Sequence, residues 1–443
     1  MVVVPIGGVD ALWNWSPDSA DSVDVKPLAN FRDKLTEGKP ETLICHDMKG
    51  GYLEEESDDG IIITEETPSP YVFLNWWNID IFCYFSHNFV TIPPISYINL
   101  AHAHGCLAMG TFITESKGGA RLCEQFLAST ETVQRTVDSL VCVALHYKFD
   151  GWLINIENRI LIKHIDNLRL FLRLLTDGMR EAVGFSRVIW YDSVTITGML
   201  KWQNMLNQLN RDWYECCDGI YLNYNWDDAM LLESADFGAI NRIFVGIDCF
   251  ARGCLGGWDC HRLFAKTNLM RMSVALFAPG WICEKFPDAD PIKHGLRFWN
   301  KIVLYTPVRP ILELPISTNF CAGFTREKEV MRFRLSSISL QPHFVRNSVQ
   351  PMPTKEGGLL LSKGSCTRLF NFDVKCEGCR VRTRAQRDIG IVINDVVRET
   401  QKEGEDILVT IRKPIHLLTL DVYVDDEMDC LLYDMDILQM NIY

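Results

Sequence analysis

The sequence predicts an α/β protein: a (β/α)8 TIM-like barrel followed by a smaller all-β, sandwich-like module. Three observations predict it. From about residue 70, short apolar and β-branched runs alternate with longer amphipathic stretches, the pattern of parallel β/α units. The runs are apolar on both faces, as strands covered on both sides should be. About eight such units fit the roughly 250 residues of one barrel. After about residue 325 helical periodicity fades, and short strand-like runs with turn residues take over, which reads as a sandwich.

Taken in order, residues 1–65 are expected to be irregular, with the acidic run "EEESDDG" (54–60) a solvated loop or tail. The barrel is expected over 66–325 and the β module over 326–443. The expected barrel strands are "IDIFCYF" (79–85), "LAMGTFI" (107–113), "GWLINIE" (151–157), "RVIWYDS" (187–193), "GIYLNYN" (219–225), "RIFVGIDCF" (242–250), "SVALFAPG" (273–280) and "ILELPIST" (311–318). Leu168, Phe171, Leu172, Leu175 and Met179 recur at i, i+3, i+4, i+7, which predicts a helix packing that stripe on the core. A doubly wound open sheet is the competing architecture. No GxGxxG or GxxxxGK[ST] follows any strand, so no nucleotide site is expected.

The 443 residues are 47% hydrophobic and 23% charged, with a net charge of −13. Such an acidic chain is a poor partner for nucleic acid or an anionic membrane. No run of about 18 apolar residues occurs, so no transmembrane helix is expected. The start "MVVVPIGGVDALWNW" lacks the features of a signal peptide. The 16 cysteines are therefore expected as reduced thiols in the cytosol. "CEGC" (Cys376, Cys379) is the only CxxC and has no second pair at metal-binding spacing. Neither a metal nor a cofactor is expected.

One strand is chemically odd. In "DGWLINIEN" (150–158), alternation puts Trp152, Ile154 and Ile156 on one face and Leu153, Asn155 and Glu157 on the other. Asn155 and Glu157 thus sit side by side near the C-terminal end, where barrels build their sites. A Glu after a strand more often ends it in solvent. A buried carboxyl, however, has its pKa raised and serves as a general acid near neutrality. Glycoside cleavage ordinarily uses two carboxylates; the exception uses the substrate's own 2-acetamido group as nucleophile. One acid/base and one polar group to hold the acetamide then suffice.

At these residues the chain resembles the cytosolic endo-β-N-acetylglucosaminidases of glycoside hydrolase family 85. "FDGWLINIEN", "YFSHNFVTIPP" (84–94), "GTFITE" (110–115), "VIWYDSV" (188–194), "LKWQNMLN" (200–207), "DGIYLNYNW" (218–226), "FVGIDCFARG" (244–253) and "SVALFAPGW" (273–281) carry the resemblance, in one order. It covers about 70–325. It implies a (β/α)8 barrel and retaining, substrate-assisted cleavage of the N-glycan chitobiose core, between the two N-acetylglucosamines. Its substrates would be N-glycans on glycoproteins or glycopeptides and free oligosaccharides. Asn155 would hold the acetamide, Glu157 would act as acid then base, and Tyr191 would touch the intermediate. Trp202 and Trp226 match cleft-lining aromatics. Phe112, Tyr224, Asn225, Asp248 and Trp281, within the matching motifs, complete the expected substrate-binding set.

The chain departs from the family's usual pattern at Ser116 and Tyr97, where Trp is common, and at "LSKGSCTRL" (361–369). Two other readings compete with an endoglycosidase. One is a catalytically inactive glycan-binding barrel. The other is a chitinase-like hydrolase, which would be expected to show DxxDxDxE, a pattern that "DGWLINIE" does not complete.

Overall fold

The computed structural model describes residues 3–20, 22–30, 32, 38–346, 349–355 and 357–440. The chain forms two compact units: residues 1–53 with 79–284, and residues 54–78 with 285–443.

The first unit is a closed parallel barrel. Its strands are β1 (Thr42–His46), β2 (Ile81–Tyr84), β3 (Leu107–Glu115), β4 (Gly151–Glu157), β5 (Arg187–Tyr191), β6 (Gly219–Leu222), β7 (Ile243–Asp248) and β8 (Ser273–Phe277). Each pairs in parallel with the next, and β8 pairs with β1 to close the ring. Helices follow the strands. The longest, Ile165–Val183, buries the expected stripe: Leu168, Phe171, Leu172, Leu175 and Met179 are all fully buried. Burial of side chains this size is worth about 1.5–3 kcal/mol each.

Two expectations are corrected. "ILELPIST" is not a barrel strand. Only Ile316–Thr318 is extended, and it pairs antiparallel with Cys430–Gln439 in the second unit. Pro315 supplies a reason: without an N–H it cannot serve a strand bonded on both sides. The missing strand is β1, drawn from the segment expected to be irregular. Its five residues are all buried. Within the acidic run, expected as a solvated loop or tail, Glu54–Glu56 is a 3-10 turn and Glu56 is buried.

The barrel interior alternates with its exterior. Leu43, Cys45, Ile81, Cys83, Met109, Ile113, Leu153, Ile189, Tyr191 and Tyr221 share the inner cluster. At the N-terminal end of the strands, carboxylates do structural work. Asp80 accepts from the N–H of Thr42 at 2.7 Å, Asp150 from that of Ala108 at 2.8 Å, and Asp218 from that of Val188 at 2.7 Å. Each Asp stands just before one strand and bonds the start of its neighbour. Asp150 also meets His102 Nε2 at 2.8 Å. Burial disfavours the His102 charge, but Asp150 outweighs it and the pKa ends above the ordinary value.

The second unit is built mainly of antiparallel sheets. One orders Cys366–Cys376, Ile415–Tyr423, Gly390–Ile393 and Val396–Arg398. A larger one contains Cys430–Gln439, Cys379–Ala385 and Asp406–Ile411. Along Cys379–Ala385, burial falls on Cys379, Val381 and Thr383, so one face is covered. A third sheet takes Ile61–Ile63 from the segment between β1 and β2 and pairs it with Val330–Phe333.

Candidate active site

The C-terminal ends of the barrel strands open into a cavity of about 580 Å³, within the range of small-ligand sites. Its lining includes Asp47, His87, Glu115, Asn155, Glu157, Tyr191, Trp202, Tyr221, Asn223, Tyr224, Asn225, Asp248, Arg252 and Phe277. No group of three or more His, Cys, Asp or Glu side chains among the described residues could hold a metal ion.

Glu157 ends β4 and faces inward with Leu153 and Asn155. Its pKa is raised, first by loss of water and then by the neighbouring Glu115 carboxyl. Trp202, Asn155 and His87 pull the other way. The Trp202 indole N–H donates to Glu157 Oε1 at 3.4 Å. Asn155 is buried; its amide also serves the Glu157 carboxyl. Its Oδ1 is buried with no hydrogen-bond partner. A buried acceptor left unmet costs about 1–3 kcal/mol. Such a group in a cavity wall is set to receive an N–H from a bound molecule.

Tyr191 ends β5. Its hydroxyl donates to Asn223 Oδ1 at 2.9 Å, and burial, then the Glu157 charge, hold its pKa well above the ordinary value. It therefore stays a donor. Tyr221 packs edge-on against it, with centroids 5.3 Å apart, and Tyr224 lies 6.4 Å away. Asp248 lies in the wall but is occupied: it accepts from Arg252 Nε at 2.9 Å and from the N–H of Phe250 at 3.0 Å.

The structure therefore gathers Asn155, Glu157, Tyr191, Trp202, Tyr224, Asn225 and Asp248 around one cavity. It excludes three expected residues from the lining. Phe112 points outward, buried among Phe89, Phe126 and Phe171 at 4.8, 5.3 and 5.4 Å. It sits on the opposite face of β3 from Ile113 and Glu115. Trp226 ties its indole N–H to Gly246 O at 2.7 Å. Trp281 packs edge-on against Trp258 at 5.9 Å. Tyr97, a departure from the family pattern, is likewise outside the cavity and stacks on Phe82 at 4.7 Å.

Sequence reasoning missed His87, Glu115, Asn223, Arg252 and Asp47. Glu115 had a signal: like Glu157, it is a carboxylate at the end of an apolar strand. His87 Nδ1 lies 3.2 Å from Glu115 Oε2.

A closed parallel barrel with a desolvated carboxyl, an unmet amide oxygen and three tyrosines at its C-terminal mouth defines the class: a (β/α)8 protein with a carboxyl-bearing cavity at the C-terminal ends of its strands. The chain belongs to glycosyl hydrolase family 85, whose family model matches residues 52–328. It is 38% identical over 391 residues to a cytosolic endo-beta-N-acetylglucosaminidase of Gallus gallus, covering 86% of this chain and 52% of that protein. A protein of the same name from Homo sapiens is 40% identical over 354 residues, covering 76% and 47%. The chain thus spans about half the length of the curated relatives it matches. The glycoside hydrolase domain of Endo-D from Streptococcus pneumoniae R6 shares the fold, with a TM-score of 0.70 and 14% identity over 98% of this chain and 83% of that one.

Proposed function

We propose that the chain is an endo-β-N-acetylglucosaminidase, acting on the β-1,4 bond between the two N-acetylglucosamines of the N-glycan core. One observation carries the reading: a desolvated carboxyl and a buried, unmet amide oxygen share one face of β4. Glu157, protonated, gives its proton to the leaving oxygen. The substrate's acetamide carbonyl attacks the anomeric carbon, while Asn155 Oδ1 receives the acetamide N–H. The acetamide keeps that proton, so the intermediate is a protonated oxazoline, an oxazolinium ion. Glu157, now a carboxylate, takes a proton from the water that attacks the anomeric carbon; the ring opens to the neutral acetamide with overall retention, and Glu157 is protonated again. Tyr191, its hydroxyl donated to Asn223, borders the reacting centre.

The substrates are N-glycans on glycoproteins or glycopeptides and free oligosaccharides. The names of the relatives support this and support a cytosolic location. The described cysteines are all free thiols, and no described helix is long and apolar enough to cross a membrane.

The test is incubation with a high-mannose glycopeptide and, separately, a chitin oligomer, with products read by mass spectrometry. The expected result is a peptide retaining one N-acetylglucosamine, with the chitin oligomer cut far more slowly. Binding without cleavage would make the barrel a glycan-binding protein. Preferential chitin cleavage would make it chitinase-like.

A further inference from the structure

Asp192 follows Tyr191 but faces away from the cavity and is 1% exposed. Its carboxylate is spent on one loop. Oδ2 accepts from the backbone N–H of Gln203 at 2.9 Å and of Asn204 at 2.7 Å. Oδ1 accepts from Asn210 Nδ2 at 3.0 Å. Burial raises its pKa to about 6, against the pull of these donors.

That loop reaches the site twice. Trp202 donates to Glu157 at 3.4 Å. Asn204, in the left-handed region at φ 58°, accepts through Oδ1 from Asn223 Nδ2 at 2.7 Å and from the N–H of Asn225 at 3.1 Å. Asn223 in turn accepts the Tyr191 hydroxyl at 2.9 Å. Two short paths lead from one buried carboxylate, one to the acid and one to the tyrosine.

We propose that Asp192 is a positioning residue: it clamps the loop at 203–210 and so holds Trp202 on Glu157 and Asn223 on Tyr191. The proposal rests on the reading of Glu157 as acid/base. A carboxylate that only stabilised the fold would change the folded fraction and leave the pH profile of the folded enzyme alone.

Asp192→Asn keeps the shape but sets an amide N–H₂ against one set of donors. The expected kcat loss is up to about 100-fold, the scale of a small misplacement of reacting groups, with KM changed by less than about threefold. Trp202 pulls the Glu157 pKa down, so a slack loop lets it rise, and the alkaline limb of the kcat profile moves to higher pH. Glu157 also faces Glu115 on β3, His87 after β2 and Tyr191 on β5, none of which is altered. Trp202→Phe should move the limb in the same direction. The double variant should shift it no further, because both act along one path.

Hydrogen exchange by mass spectrometry over 200–210 reads the clamp in the free protein, without substrate. It should quicken in Asp192→Asn. Unchanged exchange, or a wild-type pH profile in the variant, overturns the proposal. If wild-type protein fails to cleave glycopeptide, the function proposed above falls, while the exchange result still decides the clamp. If Asp192→Asn does not fold, Trp202→Phe and Asn204→Gly take its place. The first should shift the alkaline limb, the second should lower kcat without that shift, and wild-type behaviour in both overturns the proposal.

Discussion

Glu115 and Glu157 are register partners on adjacent parallel strands, so two carboxyls stand side by side at the barrel mouth. A pair of carboxylates is the ordinary equipment of a glycosidase, and the role of the second has to be separated from that of the first. Glu115 raises the Glu157 pKa, and its Oε2 meets His87. It tunes the acid.

Glu115→Gln removes a like charge, so the Glu157 pKa falls. The acid is then lost at lower pH, and the alkaline limb of the kcat profile moves down. Activity at the optimum should remain within about tenfold of wild type, less than removal of an acid/base costs. Loss of activity as large as that of a Glu157 variant would instead make Glu115 the nucleophile.

Glu157→Gln should keep the fold, since the side chain is isosteric, and lose roughly 10²–10⁴-fold in rate. Thermal melts confirm folding and glycopeptide cleavage reads the rate. Near wild-type turnover would take Glu157 out of the mechanism.

Asn155→Ala separates the two halves of the reaction. Without the amide, formation of the oxazoline from a natural glycan should be crippled. A preformed glycan oxazoline bypasses that step, and Glu157 still serves as base. The variant should therefore join an oxazoline donor to an N-acetylglucosamine acceptor while hydrolysing the product poorly. Equal loss of both reactions in a folded variant would remove the support for substrate assistance.

Asp150 stands in the same motif as Glu157 but at the other end of the strand, so its removal should affect stability alone. Asp150→Ala breaks a buried pair with His102 and a bond to the N–H of Ala108. A loss of about 3–5 kcal/mol is expected, measured by denaturant unfolding, with the kcat of the folded fraction unchanged. The His102 pKa is raised in the folded state. Its contribution is therefore full below the unfolded pKa and fades as pH rises through the folded one. The difference between wild type and variant should shrink in that direction.

Much of this was legible in the sequence because the barrel strands are buried on both faces and the helices carry a clear stripe. The same-face pairing of Asn155 and Glu157 follows from alternation alone. Phe112 was misplaced because a motif match ignores alternation; its parity against Glu115 would have turned it outward. Trp226 and Trp281 lie beyond the strand ends, where alternation no longer dictates direction. β1 was missed because three apolar residues between Thr42 and His46, in a polar, proline-containing neighbourhood, carry little periodicity of their own. Asp192 gave no signal, because its partners are backbone N–H groups of a loop.

The place of β1 in the ring bears on how the chain can be shortened. β1 bonds β2 on one side and β8 on the other. A protein begun at residue 66 would keep every side chain of the cavity except Cys45 and Asp47, yet it would leave two unpaired strand edges. Open edges recruit other chains. Such a fragment is expected to aggregate rather than to behave as a weakened enzyme, and its insolubility would say nothing about the chemistry at Glu157.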